Sequence, residues 1–569
     1  MTSDLSAVRV RLDLTEASNQ TITVTMTWTP AQATTRWQLP VWTPGSYTVR
    51  DPVQHLHSLS CKQQGKSVPL RRTSPSCWRA DLQPDQDVEV RYQLEARQLT
   101  VRTCCLEPQF ASLCLSAVVM LVDGFRWAPH HLEMVLPSGW QAAVPLPHDQ
   151  GIYHSDDFDA LVDSPVHAGC FESQPFEVMG CQHELILFGA PPQGWPPDFL
   201  RDISAVCEAT CRLMQTSPPS ADRYQLVLLM LDQGYGGLEH DHAAVLHYSW
   251  KSLAGEDGYL KLLQLIGHEY LHQWNVRRLR PRDYIPYDYG GPVVSDCLWF
   301  AEGVTSYFDL GLPLLAGCSN QEQYLKDLGR DLSTVLISPG VGIQSLADSS
   351  REAWVRLYKR TPAGADSQIS YYVLGTAMAF CLDVMLRESG ASLASLLRQL
   401  WDHFGRHGRG YGRSDLLNAV QQHHPELAQS LPNWLDHCGS IPIEDCVSRV
   451  GLKLNPVLAD RAESGLVLRE ERGAILIERV AQQGPGARAG LIPGDELIAL
   501  HGHRIRSLED WQILWAGPDE AVVHFARRGR MAETHLQQAP PSLDHWELSC
   551  DPGASPQASA LRDAWFRIL

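Results

Sequence analysis

The stretch LLQLIGHEYLHQW, residues 262–274, is the most informative part of the chain for its fold and its chemistry. It contains the pattern H-E-x-x-H from His268 to His272. Residues four apart lie on one face of a helix, so both histidines can hold one metal ion from the same side. Glu269 follows the first histidine, where its carboxylate can reach a metal-bound water.

Zinc suits these residues, because it takes imidazole nitrogens and a carboxylate in a tetrahedral site and leaves one position open. The pKa of the bound water falls to roughly 7, and Glu269 can accept its proton during attack on a carbonyl. The alternative is a surface helix that carries two histidines. With 23 histidines in 569 residues, chance produces the pattern in on the order of one chain in twenty, so further residues must decide.

A third ligand is expected downstream, since catalytic zinc commonly binds a carboxylate from a following helix. The segment DCLWFAEGVTSYF, residues 296–308, has one acid after its first residue, Glu302, in an apolar background. Prolines and glycines between residues 281 and 292 break helices and indicate a loop. The sequence therefore predicts a second helix that contributes Glu302 as the third ligand of one zinc ion per chain.

A resemblance to a known family extends beyond the metal site. HEYLHQWNVRRLRP (268–281) with LWFAEG (298–303) resembles the glycyl aminopeptidase family, which are gluzincin zinc metallopeptidases related to the alanyl aminopeptidase and leukotriene A4 hydrolase family. LPVWTPGSYTVRD (39–51) resembles the N-terminal domain signature of this family, and GGLEH (236–240) resembles its substrate-binding strand. Residues 465–505 resemble the PDZ module that follows its catalytic domain.

The chain is expected to be a multidomain α+β protein. Segments such as residues 8–14 and 21–28 alternate with period two, which predicts an all-β beginning, and a mainly helical pattern follows from about residue 171. The predicted parts are an N-terminal all-β domain, a thermolysin-like, mainly helical zinc catalytic domain, a PDZ-like β domain and a C-terminal tail, at residues 1–170, 171–450, 451–535 and 536–569.

The glycines and the acid of GGLEH predict a substrate-binding edge. A glycine pair lets a peptide backbone approach closely, and a terminal carboxylate can accept hydrogen bonds from an α-ammonium. The resemblance implies that Glu239 holds the free amine of the substrate and that the backbone at Gly236 and Gly237 pairs with the peptide. The alternative is a β-turn with a solvated acid.

The resemblance also implies an oxyanion donor in SYYVLG, residues 370–375. Gluzincin exopeptidases place a tyrosine three residues before a glycine here, which selects Tyr372 and leaves Tyr371 in reserve. A hydroxyl donated to the developing oxyanion is worth roughly two to three orders of magnitude in rate. The alternative is that both aromatic rings belong to a buried helix.

Composition predicts an enzyme rather than a nucleic-acid or membrane protein. The net charge of −18 argues against nucleic acid and anionic membranes as partners. Neither a signal peptide nor a long apolar run is visible, and fifteen scattered cysteines fit reduced thiols, so a cytoplasmic location is expected, with export not excluded.

The expected function is therefore a zinc-dependent aminopeptidase that prefers small terminal residues such as glycine and alanine, with Glu269 as general base. Its partners would be peptides with a free N-terminus and, at the PDZ groove, a peptide or protein C-terminus. The alternative to peptide binding by the PDZ module is a structural role, in which the module only packs on the catalytic domain. Two other functions stay open: a zinc endopeptidase with an open cleft, and a peptide-binding protein that acts through the PDZ module.

Overall fold

The computed structural model describes residues 7–359, 361, 364–516 and 520–569. An all-β region comes first, a mainly helical region follows, and a smaller β region lies near the C-terminus. This order confirms the predicted multidomain α+β class. Among the described helices, none has the length and apolar character needed to cross a bilayer.

The N-terminal domain is built on sheets whose strands bury alternate residues, as in Val8–Asp13. The eight-stranded sheet has the spatial order His148–Asp149, Ile152–Ser155, His130–Val135, Val8–Asp13, Thr21–Trp28, Val88–Glu95, Leu56–Gln63, Lys66–Ser67. Two four-stranded sheets have the orders Gln141–Ala143, Val166–Gly169, Phe110–Leu113, Cys104–Leu106 and Leu121–Val122, Thr34–Gln38, Cys77–Asp81, Arg71–Ser74. Short helical segments are Ala17–Asn19, Pro52–His55, Leu115–Ala117 and Phe158–Val162.

The middle region, which is called the catalytic region after the sequence-based expectation, begins with a five-stranded sheet in the order Glu172–Val178, Cys181–Phe188, Arg223–Leu231, Ala243–Ser249, Tyr235–Glu239. The three inner strands are parallel and the two outer ones are antiparallel to their neighbours. Tyr235–Glu239 is therefore an edge strand with one side free to pair with a further chain.

Helices from Phe199 to Arg449 form the body of this region around one continuous apolar core. They are Phe199–Met214, Trp250–Leu253, Gly258–Leu271, Trp299–Gly303, Val304–Ala316, Gln321–Ile337, Leu346–Arg351, Gly364–Ser367, Tyr371–Glu388, Leu393–His403, Arg413–His423, Pro425–Asp436 and Ile443–Arg449, with 3-10 turns at Arg282–Tyr284, Pro339–Gly342 and Gly405–His407.

The PDZ-like region has a small core of its own. Its strands pair in the order Leu466–Glu471, Ala474–Val480, Glu496–Leu500, Glu520–Arg527, Arg530–Gln537, and His503–Arg504 pairs with the third of them. Its helices are Pro485–Arg488 and Leu508–Trp515. Ser507 caps the second helix by accepting a hydrogen bond from the backbone of Asp510, and serine is among the residues favoured at this position.

The last residues differ from the predicted tail. Leu543–Cys550 is a strand that pairs antiparallel with Leu452–Leu458, so the PDZ-like region is inserted between two paired strands. The helix Pro556–Trp565 then returns to the catalytic region, where Trp565 is fully buried. The Pro, Ser and Ala content of this segment suggested a tail, but its few large apolar side chains find a complementary surface.

A closed polar network fixes this terminal helix. The indole of Trp565 donates to the Tyr307 hydroxyl at 2.7 Å, and that hydroxyl donates to Asp383 at 2.8 Å. Arg387 contacts Asp383 at 3.0 Å and donates to the carbonyl of Ala564 at 2.9 Å. The terminal helix is thus part of the catalytic core.

We predict that Trp565→Ala destabilises the catalytic region by about 3–5 kcal/mol, because it removes a large buried side chain and leaves the Tyr307 network incomplete. Urea unfolding followed by circular dichroism measures the effect. The matched control is Trp127→Ala, since Trp127 is 62% exposed and should cost less than about 1 kcal/mol. Equal midpoints for the two variants would contradict the structural role of the terminal helix.

Candidate active site

Three sequence-predicted ligands meet at one point. His268 lies near the end of the Gly258–Leu271 helix, His272 caps that helix, and Glu302 lies on Trp299–Gly303, a single π-helical turn of the kind common at functional sites. The Glu302 Oε2 atom is 3.6 Å from His268 Nε2 and 3.2 Å from His272 Nε2.

These separations suit a zinc ion. Bonds of about 2.0–2.2 Å in tetrahedral geometry place ligand atoms roughly 3.3–3.6 Å apart, and the donor atoms of the three side chains all lie within 4.8 Å of one another. The three residues therefore fit the metal that the sequence predicts.

Hydrogen bonds behind the ligands fix the orientation of both imidazoles. His268 Nδ1 lies 2.8 Å from Asp309 Oδ2, and His272 Nδ1 lies 2.5 Å from the carbonyl oxygen of Asn275. Both acceptors require a proton on Nδ1, which leaves Nε2 free to bind a metal. Asn275 also donates through its side-chain amide to the carbonyls of Phe300 and Ala301, and so ties the histidine helix to the Glu302 segment.

Two glycines allow the helices of the site to touch. A Cβ atom on Gly303 would lie 2.5 Å from the Cα atom of Gly375, and one on Gly375 would lie 2.8 Å from the Cα atom of Gly303. Because larger side chains do not fit, the helix of Glu302 and the helix Tyr371–Glu388 cross at backbone contact. Tyr372, one turn before Gly375, is thereby held beside the metal ligands.

Glu269 is buried, and its Oε2 atom has no hydrogen-bond partner among the described residues. A Cβ atom on Gly237 would lie only 2.1 Å from Glu269 Oε1, so glycine is required where the edge strand passes this carboxylate. Burial raises the pKa of the Glu269 carboxyl to about 7; the His268 and His272 imidazoles oppose this rise and the carboxylates of Glu239 and Glu302 add to it.

The two tyrosines at the start of their helix have different surroundings. Tyr372 lines the cleft with His268 and Glu269, and its ring centroid is 6.4 Å from that of His268. Tyr371 is fully buried and packs against Tyr47. Burial raises the pKa of the Tyr372 hydroxyl well above its usual value, which keeps it a donor at neutral pH.

Glu239 lies at the end of the edge strand, 4% exposed, and its Oε1 atom has no partner within the part of the chain that the structure describes. Its carboxylate, the Glu269 carboxylate and the His272 imidazole offer ligand atoms within 4.8 Å of one another. Gly236 and Gly237 precede it on the free edge, where they line the cleft.

The N-terminal domain reaches into this site. A Cβ atom on Gly45, whose φ is +80°, would lie 2.6 Å from both Glu239 carboxylate oxygens. The Tyr47 hydroxyl donates to Glu302 Oε1 at 3.0 Å, the oxygen that does not face the histidines. The cleft in front of these residues has a volume of about 990 Å³ and includes Arg102 of the same N-terminal domain.

Family comparisons agree with this geometry. Residues 9–170 match the Peptidase M61 N-terminal domain, residues 261–378 match the M61 glycyl aminopeptidase domain, and residues 476–526 match a PDZ domain. The chain thus carries the N-terminal domain and the glycyl aminopeptidase domain of M61 peptidases, together with a PDZ domain. The predicted zinc metallopeptidase of the aminopeptidase type is thereby confirmed.

Solved structures resemble this M61 peptidase over most of its length. An aminopeptidase N family protein from Idiomarina loihiensis is similar with a TM-score of 0.91 and 26% identity, over 98% of this chain and 100% of that one. An M1 zinc metallopeptidase from Deinococcus radiodurans has a TM-score of 0.49 and 13% identity, over 76% of this chain and 94% of that one. A search of curated proteins found no match.

Several residues of the M61 site were not assigned by sequence reasoning. Asp309 directly follows the segment 296–308, which contains Glu302, and Asn275 lies within the motif 268–281, which contains both histidines. Both could have been found by asking what orients each imidazole. Tyr47 belongs to the WTPGSY motif, which marked the N-terminal domain but gave no sign of contact with a metal ligand.

We predict that Tyr47→Phe lowers the zinc affinity of this M61 peptidase about 10- to 100-fold, because removal of a partner behind a metal ligand usually has an effect of this size. Competition with a chromophoric chelator measures the affinity. Tyr153→Phe is the matched control, since its hydroxyl forms no hydrogen bond to another described residue. An unchanged affinity in Tyr47→Phe would show that the contact does not support the metal.

Proposed function

We propose that this protein removes single residues from the amino termini of peptides, with a preference for small residues such as glycine and alanine. The observation that carries the proposal is the buried Glu239 carboxylate, which has no partner among the described residues and lies next to the catalytic groups. A buried carboxylate without a partner is costly, and a substrate ammonium would satisfy it.

The closed end of the cleft supports cleavage after one residue. Gly45 of the N-terminal domain packs directly on the Glu239 carboxylate, so the space beyond it is filled by protein. A residue ahead of the cleaved one would collide with this loop. The same contact weighs against the endopeptidase alternative, which requires a cleft open at both ends.

The zinc ligands, Glu269 and Tyr372 have separate roles in the proposed reaction. Zinc bound by His268, His272 and Glu302, one ion per chain, would lower the pKa of a water molecule and polarise the scissile carbonyl. Glu269 accepts the proton of the attacking water and later delivers it to the leaving nitrogen. The Tyr372 hydroxyl donates to the carbonyl oxygen as negative charge develops there.

The edge strand holds the peptide in register with these groups. Backbone groups of Gly236 and Gly237 pair with the substrate as an added strand, and the lack of side chains lets it approach closely. The preference for small first residues is carried over from the glycyl aminopeptidase domain that residues 261–378 match.

The PDZ domain supplies a second binding site in this proposal. Its groove lies between the Leu466–Glu471 strand and the Leu508–Trp515 helix, where Val467 and Ile513 are exposed. A peptide or protein C-terminus would add to the free side of this strand.

We predict that Glu269→Gln lowers kcat by at least about two orders of magnitude while zinc content stays near that of the wild type, since the amide keeps the shape of the side chain but cannot accept the proton. Turnover of an alanine amide and metal analysis test this together. Glu256→Gln is the matched control, because Glu256 is an exposed acid that lines the same cleft. Near-normal turnover in Glu269→Gln would exclude it as the general base.

We predict that Glu239→Ala lowers kcat/KM for glycine and alanine amides with a free amino group by a factor of about 10²–10³, because the substrate ammonium loses its buried partner. Acetylated versions of the same substrates should be poor with either enzyme. If the wild type cleaves acetylated peptides as fast as free ones, the aminopeptidase proposal fails and the endopeptidase alternative replaces it.

A further inference from the structure

Two arginines of the N-terminal domain lie beside the active site without an acidic partner. Arg50 donates to the Ser46 hydroxyl at 3.1 Å, and Arg102 donates to the Gly237 carbonyl at 2.9 Å. Within the described residues, neither guanidinium has a carboxylate within 4.0 Å. The Nε atom of Arg102 is buried and has no hydrogen-bond partner in the part of the chain that the structure describes.

A separate cavity of about 280 Å³ connects the two arginines. Arg102 and Tyr358 line both this cavity and the catalytic cleft, so they form the wall between them. His55 also lines the cavity. Among the described residues that line it, Glu95 is the one acid, and the Arg97 guanidinium lies 4.0 Å from the Glu95 carboxylate. Since the two guanidiniums outweigh one carboxylate, the cavity favours an anion.

The charges of the two arginines have different surroundings. Burial lowers the pKa of Arg50, and the charge of Arg102 adds to that effect. Burial also acts to lower the pKa of Arg102, but nearby tyrosine hydroxyls and the carboxylates of Glu269 and Glu239 raise it above its usual value. An anion between the two guanidiniums would relieve the repulsion and complete the hydrogen bonds of Arg102, whose planar fork suits a carboxylate.

The direction in which the peptide lies along the edge strand determines which of its carboxylates can reach Arg102. If the substrate amine lies at Glu239, the peptide runs along the edge strand toward Tyr235, and the residues after the cleaved bond pass Gly237 and Gly236. A Cβ atom on Gly236 would lie 3.9 Å from an Arg102 terminal nitrogen. Arg102 therefore lies beside the second or third residue of the peptide.

We propose that Arg102, supported by Arg50, is a specificity-determining residue that binds a carboxylate of the peptide substrate, carried by the first or the second residue after the cleaved bond. This carboxylate is the C-terminal α-carboxylate of a di- or tripeptide or the side chain of an acidic residue. The inference rests on the proposed aminopeptidase function, and it makes short peptides with a free C-terminus the preferred substrates.

The test compares alanine peptides of two, three and five residues, each as the free acid and as the C-terminal amide, with zinc-loaded full-length enzyme. The wild type should favour the free acids of the two shorter peptides by about 10- to 100-fold in kcat/KM, mainly through KM. The pair Ala-Glu-amide and Ala-Gln-amide reports an acidic side chain as the source of the carboxylate.

Variants separate recognition from a structural role. Arg102→Met should reduce the ratio of acid to amide rates to near one, and Arg102→Lys should leave an intermediate ratio, because lysine keeps the charge but loses the fork. An Arg102 that only holds the Gly237 carbonyl would lower both rates equally and leave the ratio unchanged. Arg79→Met is the matched control, since Arg79 is exposed in the same domain.

Each result decides the inference. A preference confined to di- and tripeptide acids supports the α-carboxylate, and a preference for Ala-Glu-amide supports the acidic side chain. The proposal is overturned if the wild type shows neither a preference for acids over amides nor one for Ala-Glu-amide over Ala-Gln-amide, or if Arg102→Met leaves the observed preference unchanged; the aminopeptidase proposal stays intact in either case. A wild type that cleaves no free-amine peptide refutes the proposed function itself.

Discussion

The hydrogen bond from Tyr47 to Glu302 is the contact on which the active site depends most. It spans 255 residues of sequence and joins the N-terminal domain to Glu302, the proposed third zinc ligand, over 3.0 Å. One oxygen of Glu302 is thereby engaged by tyrosine while the other faces both histidines. A carboxylate that is only 2% exposed needs partners from the protein on both of its oxygens, because burial without them is costly.

The same segment of the N-terminal domain makes further contacts with the catalytic region. The segment that carries Tyr47 also carries Gly45, which packs on Glu239, and Trp42, whose indole donates to the Asp288 carbonyl at 2.6 Å. Arg277 of the catalytic domain in turn forms ion pairs with Asp163 and Asp241 at 2.7 and 2.9 Å. The β-domain is therefore one wall of the catalytic site rather than a separate module.

Sequence reasoning reached the parts of the site that depend on local spacing. His268, His272 and Glu302 could be predicted because a helix turn and a following helix impose their pattern, and Gly375 marked the tyrosine beside them. Tyr47 and Arg102 could not, since their contacts cross 255 and 135 residues and no periodicity records such distances. The C-terminal strand and the burial of the helix after it were missed for a related reason: a few large apolar residues in a polar segment determine its structure only when a partner surface exists.

The position of the PDZ domain in the chain has a mechanical consequence. Its two ends leave from neighbouring strands, Leu452–Leu458 and Leu543–Cys550, and Arg479 on its surface holds Asp366 of the catalytic region at 2.9 Å. Two covalent attachments and one ion pair prevent the free rotation that a single linker would permit. A partner bound in the PDZ groove would therefore have a fixed orientation relative to the catalytic cleft. Truncation of the chain after the PDZ domain would therefore also remove Trp565, and with it a buried side chain of the catalytic core.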